Sequence, residues 1–235
     1  MKTSAGTYIL DIWGKSKHID NSLLSKDLIE ADQNFLADFY HGFNIKFINQ
    51  MHGANLIRLP QSSNSKTFWG EADAAYTTDM NVPVLIRTAD CIPILFWHEE
   101  ETICGGIHAG WRGLQKKILS ATIHALSHKN SEHFSNKMRY WVGPFIARES
   151  YETGYDTYSK FAENFSYEIN NSDKRLLDLQ KILKTEFKEL GIPEQNISWP
   201  HEDTFCSSRF FSHRKGNLGR NIFLIRMANQ EEIVS

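Results

Sequence analysis

No apolar run in this sequence approaches the roughly 20 residues that a helix needs to cross a bilayer, so a helical membrane span is excluded. Cysteine is scarce. The 235 residues hold three, Cys91, Cys104 and Cys206, too few and too scattered for a disulfide framework. Charge of either sign is not in excess: 26 Lys and Arg face 28 Asp and Glu, a formal net charge of −2, and no basic block stands out. That balance gives no support for a nucleic-acid partner and leaves small molecules as the expected ones. Internal repeats, low-complexity tracts and a long Pro/Gly/Ser linker are all missing, so one domain over residues 1–235 is expected. The opening "MKTSAGTYILDIWGKSKHID" has only "YIL" as an apolar stretch, too short for a signal-peptide core. The expected location is therefore the cytoplasm, where thiols stay reduced.

What is present is a mixed pattern. Apolar residues make up 41% of the chain, enough for a sizeable core at this length. Apolar or alternating runs predict strands at 45–50, 82–88, 92–97, 102–107, 138–143, 197–199 and 222–228. Apolar residues at helical spacing predict helices over 114–129 and 174–191, the second stopped by Gly191 and Pro193, and a weaker one over 155–165. Strands and helices interleaved in this way predict a layered α/β or α+β fold.

Three stretches combine ligand-type side chains with turn residues where strand runs end: "QMHGAN" (50–55), "RTADCIP" (87–93) and "GGIHAGWRGL" (105–114). They supply His52, Cys91 and His108. Two imidazoles and a thiolate suit zinc and also copper, and three ligands leave a fourth position open for catalysis. Spacing alone leaves the other reading in place, a buried small thiol beside two turn histidines. Asp73 and Asp90 are the carboxylates nearest in sequence, and either can orient a metal-bound histidine or shuttle protons. Arg112 sits in a first helical turn, where the dipole disfavours a cation unless an anion is bound; pairing with a carboxylate explains it equally well. Near the C-terminus, "FFSHRKGNLGRN" (210–221) brings Arg214 and Arg220 together as anion-binding candidates or as a solvated hairpin tip. Trp111 and Trp69 can stack on a base or pack in the core. His124 and His128 form an i,i+4 pair without a third ligand and read as a solvated helix face. Cys104 reads as core, and Cys206 has no assignment.

The order "QMHG", "ADAAYTT", "TADCIPIL", "HAGWRGL", "VGPFIARESYETG" and "FFSHRKGNLGR" resembles the laccase-domain family over roughly residues 45–228. Its members were long labelled multicopper polyphenol oxidases and are now regarded as purine nucleoside phosphorylases with adenosine deaminase activity. The resemblance implies a layered α/β/β/α fold with mixed sheets and a metal site of His52, Cys91 and His108, generally zinc, with copper claimed. It also implies phosphorolysis of adenosine, inosine, guanosine and methylthioadenosine, and hydrolytic deamination of adenosine. Cys91 and His108 would then sit at the reacting centre with Asp73 and Asp90, while Arg112, Arg214 and Arg220 would hold phosphate. Two departures stand out: Phe145 where the family usually has Cys, and His213-Arg214-Lys215 where it usually has an Arg pair. Residues before 45 have no clear counterpart. Competing readings are a copper-dependent polyphenol oxidase, a cysteine hydrolase using Cys91 with His108 as base, and a structural zinc clamp. The oligomeric state is open, a homodimer being one option.

Overall fold

The computed structural model describes residues 2–3, 6–15, 45–60, 68–80, 82–127, 131–169, 172–199 and 202–228. In chain order the strands are β1 (Lys2–Thr3), β2 (Gly6–Trp13), β3 (Phe47–Asn49), β4 (Leu56–Arg58), β5 (Phe68–Glu71), β6 (Ala74–Thr77), β7 (Val84–Thr88), β8 (Ile92–His98) and β9 (Cys104–Ala109). They continue with β10 (Met138–Val142), β11 (Glu152–Thr153), β12 (Ser166–Glu168), β13 (Arg175–Leu177), β14 (Ile197–Ser198) and β15 (Asn221–Met227). The helices are α1 (Trp111–Gln115), α2 (Ile118–Leu126), α3 (Ser131–Lys137), α4 (Tyr155–Tyr158) and α5 (Leu179–Glu189). No helix among the described residues is long and apolar enough to cross a membrane.

Two sheets carry the fold. A six-stranded mixed sheet runs β14-β10-β8-β9-β6-β4, and a four-stranded antiparallel sheet runs β1-β2-β15-β7. Alternation along each strand assigns its two faces. In β8, Ile92, Ile94 and Phe96 join the cluster beneath α2 and α5, while Leu95 and Trp97 point to the other sheet. In β15, Phe223, Ile225 and Met227 meet that second cluster, and Ile222 and Leu224 build a third on the outer face with Trp13, Phe47 and Leu85. The order helix, sheet, sheet is the mixed, layered α/β fold expected. The outer helical layer implied by the resemblance is not among the described elements.

Gly105 and Gly106, which the sequence puts both in the strand run 102–107 and in a glycine-dense stretch suited to a turn or a close approach, lie inside β9 with no positive φ. A Cβ on Gly105 would run into the Phe96 ring and come 2.5 Å from the Ala75 carbonyl oxygen; on Gly106 it would come 2.5 Å from Ile86 Cγ1 in the facing sheet. Gly106 lets the facing sheet approach, and Gly105 makes room for the Phe96 ring of the neighbouring strand on the helix-facing side.

The predicted strands at 45–50, 82–88, 92–97, 138–143, 197–199 and 222–228 all form, with ends within two residues of those expected. The strand predicted at 102–107 forms two residues later, which places His108 inside it. The helix predicted over 114–129 is broken in two at Lys117, which is left-handed at φ 57°. The segment 174–191 starts as β13 before becoming α5, and 155–165 holds only α4 and a 3₁₀ turn at Glu163–Phe165. His128 lies outside the described residues, and His124 is exposed on α2.

The break at Lys117 is held from α5. Glu186, 1% exposed, accepts from both the backbone N–H (2.9 Å) and the hydroxyl (2.8 Å) of Ser120 in the first turn of α2. Lys117 Nζ pairs with Glu189 at 2.6 Å. The second oxygen of Glu186 is buried without a partner, and burial pushes its carboxyl above the ordinary value of 4.5. Stability from a group raised in this way is complete below 4.5 and is lost as pH rises through the folded value. Glu186→Gln is therefore expected to be more stable than wild type by about 1 kcal/mol at pH 8, a Tm rise of roughly 2–4 °C. The gain should vanish near pH 4, as thermal unfolding at both pH values would show.

Candidate metal centre

The site forms at one end of the six-stranded sheet, where β8, β6 and β4 begin and β9 ends. Register brings the pieces together. Pro93 pairs with His108 and Ile92 with Ala109, so Cys91, one residue before β8, arrives opposite Gly110. On the other side of β9, Ala74 pairs with Ile107, which puts Asp73 opposite His108, and the His108 N–H donates to the Asp73 carbonyl at 2.7 Å. The loop from β3 to β4 crosses above this end and carries His52.

The ligand atoms of His52, Cys91 and His108 all lie within 4.8 Å of one another. A tetrahedral ion with bonds of 2.0–2.3 Å spaces its ligands about 3.5 Å apart, so a small contraction closes the trio on zinc. The two imidazoles meet edge to face with centroids 4.7 Å apart. Among the described residues this is the one group of His, Cys, Asp and Glu side chains arranged to hold a metal ion.

Asp73 organises the centre. It is 1% exposed, and its carboxylate accepts the N–H groups of Met51 (3.1 Å), His52 (2.8 Å) and Gly53 (2.5 Å). His108 Nδ1 stands 2.8 Å from the same carboxylate. An Nδ1–H donated there fixes the tautomer and leaves Nε2 as the ligand atom. Burial alone would raise the Asp73 carboxyl, yet the donors from His108, Gly53 and His52 hold it below its ordinary value. The loop pays in backbone strain: His52 is left-handed at φ 58°.

Cys91 is half-buried, and burial pushes its thiol up; the charges and hydrogen bonds of His108 and His52 outweigh this and bring it down to about 6. His108, lowered by burial, is carried up to about 9 by Cys91 and Asp73. Each charge stabilises the other, and a bound cation would take the place of the shared proton.

Asp90 is also left-handed, at φ 85°. Its carboxylate accepts the Thr204 hydroxyl at 2.6 Å and the Arg214 N–H at 2.7 Å, and its carbonyl accepts Ile146 N–H at 3.0 Å. Both aspartates are thus engaged by donors that fix neighbouring loops, the geometry of orientation. Gly110 is small for a reason the sequence did not show: a Cβ there would lie 2.9 Å from Cys91 Sγ and 3.1 Å from His52 Cδ2. Its backbone, at φ −77°, suits any residue. Gly110→Ala should therefore keep the wild-type Tm within about 2 °C yet weaken metal binding at least tenfold, read by competition with a chelator.

Arg112 lies exposed over the Trp111 ring, 4.3 Å from its centroid, and pairs with no carboxylate among the described residues. The ion-pair explanation for it finds no partner among the described residues. The helix behind it is only five residues long, so the dipole argument weakens as well. Arg214 is exposed, donates to the Glu152 carbonyl at 2.7 Å and covers the Tyr151 ring at 5.2 Å. Arg220 instead folds back on the carbonyls of Leu218 and Gly219. The 210–221 segment is a built loop, in which Asn221 binds both backbone groups of Phe211 and Asn217 accepts Ser212 N–H. Trp69 packs under Lys46 beside the second core cluster, and Trp111 packs against the first. Cys104 is buried core and Cys206 is exposed. Tyr151, within the "VGPFIARESYETG" stretch but not singled out there, lies under Arg214, and Thr204, which carried no signal in sequence, donates to Asp90.

A family model described as multi-copper polyphenol oxidoreductase laccase matches residues 25–228. A purine nucleoside phosphorylase of Haemophilus influenzae is 31% identical over 179 residues, covering 73% of this chain and 69% of its own. One from Rickettsia conorii is 27% identical over 198 residues, covering 80% and 77%. Among solved structures, YlmD from Geobacillus stearothermophilus matches with a TM-score of 0.78 at 20% identity, over 94% of this chain and 92% of that one. The last likeness speaks for the fold alone.

Proposed function

The chain belongs to the multi-copper polyphenol oxidoreductase laccase family, and from that premise we propose that it is a zinc-dependent purine nucleoside phosphorylase which also deaminates adenosine. The carrying observation is the His52–Cys91–His108 trio with Asp73 behind His108, together with Arg112 and Arg214, which act with Cys91 on Tyr151 and pair with no carboxylate among the described residues. Relatives named purine nucleoside phosphorylase supply the substrate class. Adenosine, inosine, guanosine and methylthioadenosine are the nucleosides proposed, and the cytoplasm is the proposed location, in keeping with three unpaired cysteines.

His52, Cys91 and His108 would hold the zinc, which when bound supplies Lewis acidity to an oxygen in the site. Asp73 keeps His108 in the ligating tautomer. Arg112 and Arg214 hold phosphate by charge. A phosphate oxygen forms the bond to C1′ of the ribose as the bond from C1′ to the purine nitrogen breaks; the base leaves with the electron pair and takes a proton from water. In deamination water adds at C6 and ammonia leaves. Asp90 contributes by fixing Cys91 and Arg214 relative to one another. An oxidase reading needs several coppers for oxygen reduction, whereas the described residues offer one group for one ion.

The test is metal analysis and nucleoside turnover on one purified sample. About one zinc per chain, with phosphate-dependent release of free base, is the expected result. Zinc without any action on nucleosides would remove the substrate assignment and leave the centre.

A further inference from the structure

Tyr151 is held firmly beside the site and has an idle hydroxyl. Its N–H donates to the Arg148 carbonyl at 3.0 Å and its carbonyl accepts Leu177 N–H at 3.0 Å, which fixes its backbone between the turn at Arg148–Ser150 and β13. The Arg214 guanidinium lies over one face of its ring. Arg214 is in turn tied by its own N–H to Asp90, the residue before Cys91. The phenolic oxygen has no hydrogen-bond partner among the described residues. A ring with a face occupied by a guanidinium is a poor platform for a nucleobase, so its hydroxyl is the group left to act.

We propose that Tyr151 is a phosphate-positioning residue whose hydroxyl donates a hydrogen bond to an oxygen of inorganic phosphate held between Arg112 and Arg214. The inference rests on the phosphorylase reading above and assigns the anion subsite within it. Charge supports it. Burial first, and then the negative charge of Cys91, push the phenol up, against Arg214 and Arg112, so it stays a neutral donor that does not repel an anion. Two cations and one neutral donor make a three-point cradle of the kind that recognises a tetrahedral oxyanion.

The test compares zinc-loaded wild type with Tyr151→Phe, which keeps the ring under Arg214. Inorganic phosphate alone is titrated calorimetrically, and KM is measured separately for phosphate and for adenosine. The expected result is phosphate affinity weakened at least tenfold and KM for phosphate raised in parallel. KM for adenosine should stay within twofold, with zinc content and Tm unchanged. A rise confined to the adenosine KM, unchanged values for both substrates, or a wild type that does not bind phosphate would each overturn the assignment. Phosphate binding that weakens in the variant of a protein inert toward nucleosides would keep Tyr151 and sink the phosphorylase reading. Active wild type with equal phosphate affinity in both proteins would sink Tyr151 alone.

Discussion

Asp73→Ala is expected to cost about 2–4 kcal/mol of stability and 10–100-fold in metal affinity in the same molecule. Two separate losses add. The N–H groups of Met51, His52 and Gly53 lose their acceptor at once, and only the exposed side of that loop can turn to water instead. His108, 4% exposed, keeps a buried Nδ1 with nothing opposite it and is free to take the other tautomer. The first loss shows in thermal unfolding of metal-free protein, where His108 ligation plays no part. The second shows in zinc titration against a competing chelator. Asp73→Asn keeps the shape but turns an amide donor toward groups that are themselves donors, so it should recover little of either. Metal affinity at the wild-type level in Asp73→Ala would mean that His108 needs no support, and Asp73 would lose its place as organiser of the centre.

Cys91→Ala should purify with less than a tenth of the wild-type zinc and lose phosphorolysis by about a thousandfold, while its fold survives. The thiol is the softest and most strongly bound ligand of the three, and two histidines alone make a poor zinc site. Its removal leaves little cavity, because Cys91 is only half-buried. Metal content, activity and Tm on one preparation decide the matter. The same variant separates the cysteine hydrolase from the metal enzyme. Wild-type protein stripped of metal that remains active, and is silenced by stoichiometric alkylation at Cys91, would make the thiolate beside His108 the nucleophile.

The strands were legible because burial on both faces leaves unbroken apolar runs: "IPILFW" and "IFLIRMA" have little alternative to the middle of a sheet. The ligand trio was legible only as residue types at strand ends. His52, Cys91 and His108 are 39 and 17 residues apart, and no periodicity ties such distant positions. The break at Lys117 was not legible at all, since neither glycine nor proline marks it; Glu186 and Glu189, far along the chain on α5, supply the partners that make it tolerable.

By itself, then, the sequence determined the apolar strands, the helical faces, the absence of a helical membrane span and the presence of two imidazoles and a thiol able to bind metal. Register decided the rest. Antiparallel pairing of β8 with β9 set Cys91 against Gly110, and pairing of β6 with β9 set Asp73 under His108. Local propensity reads a few neighbouring residues and is blind to such pairings. Hydrogen bonds and packing between distant strands fix them, and those exist only once the sheet has formed.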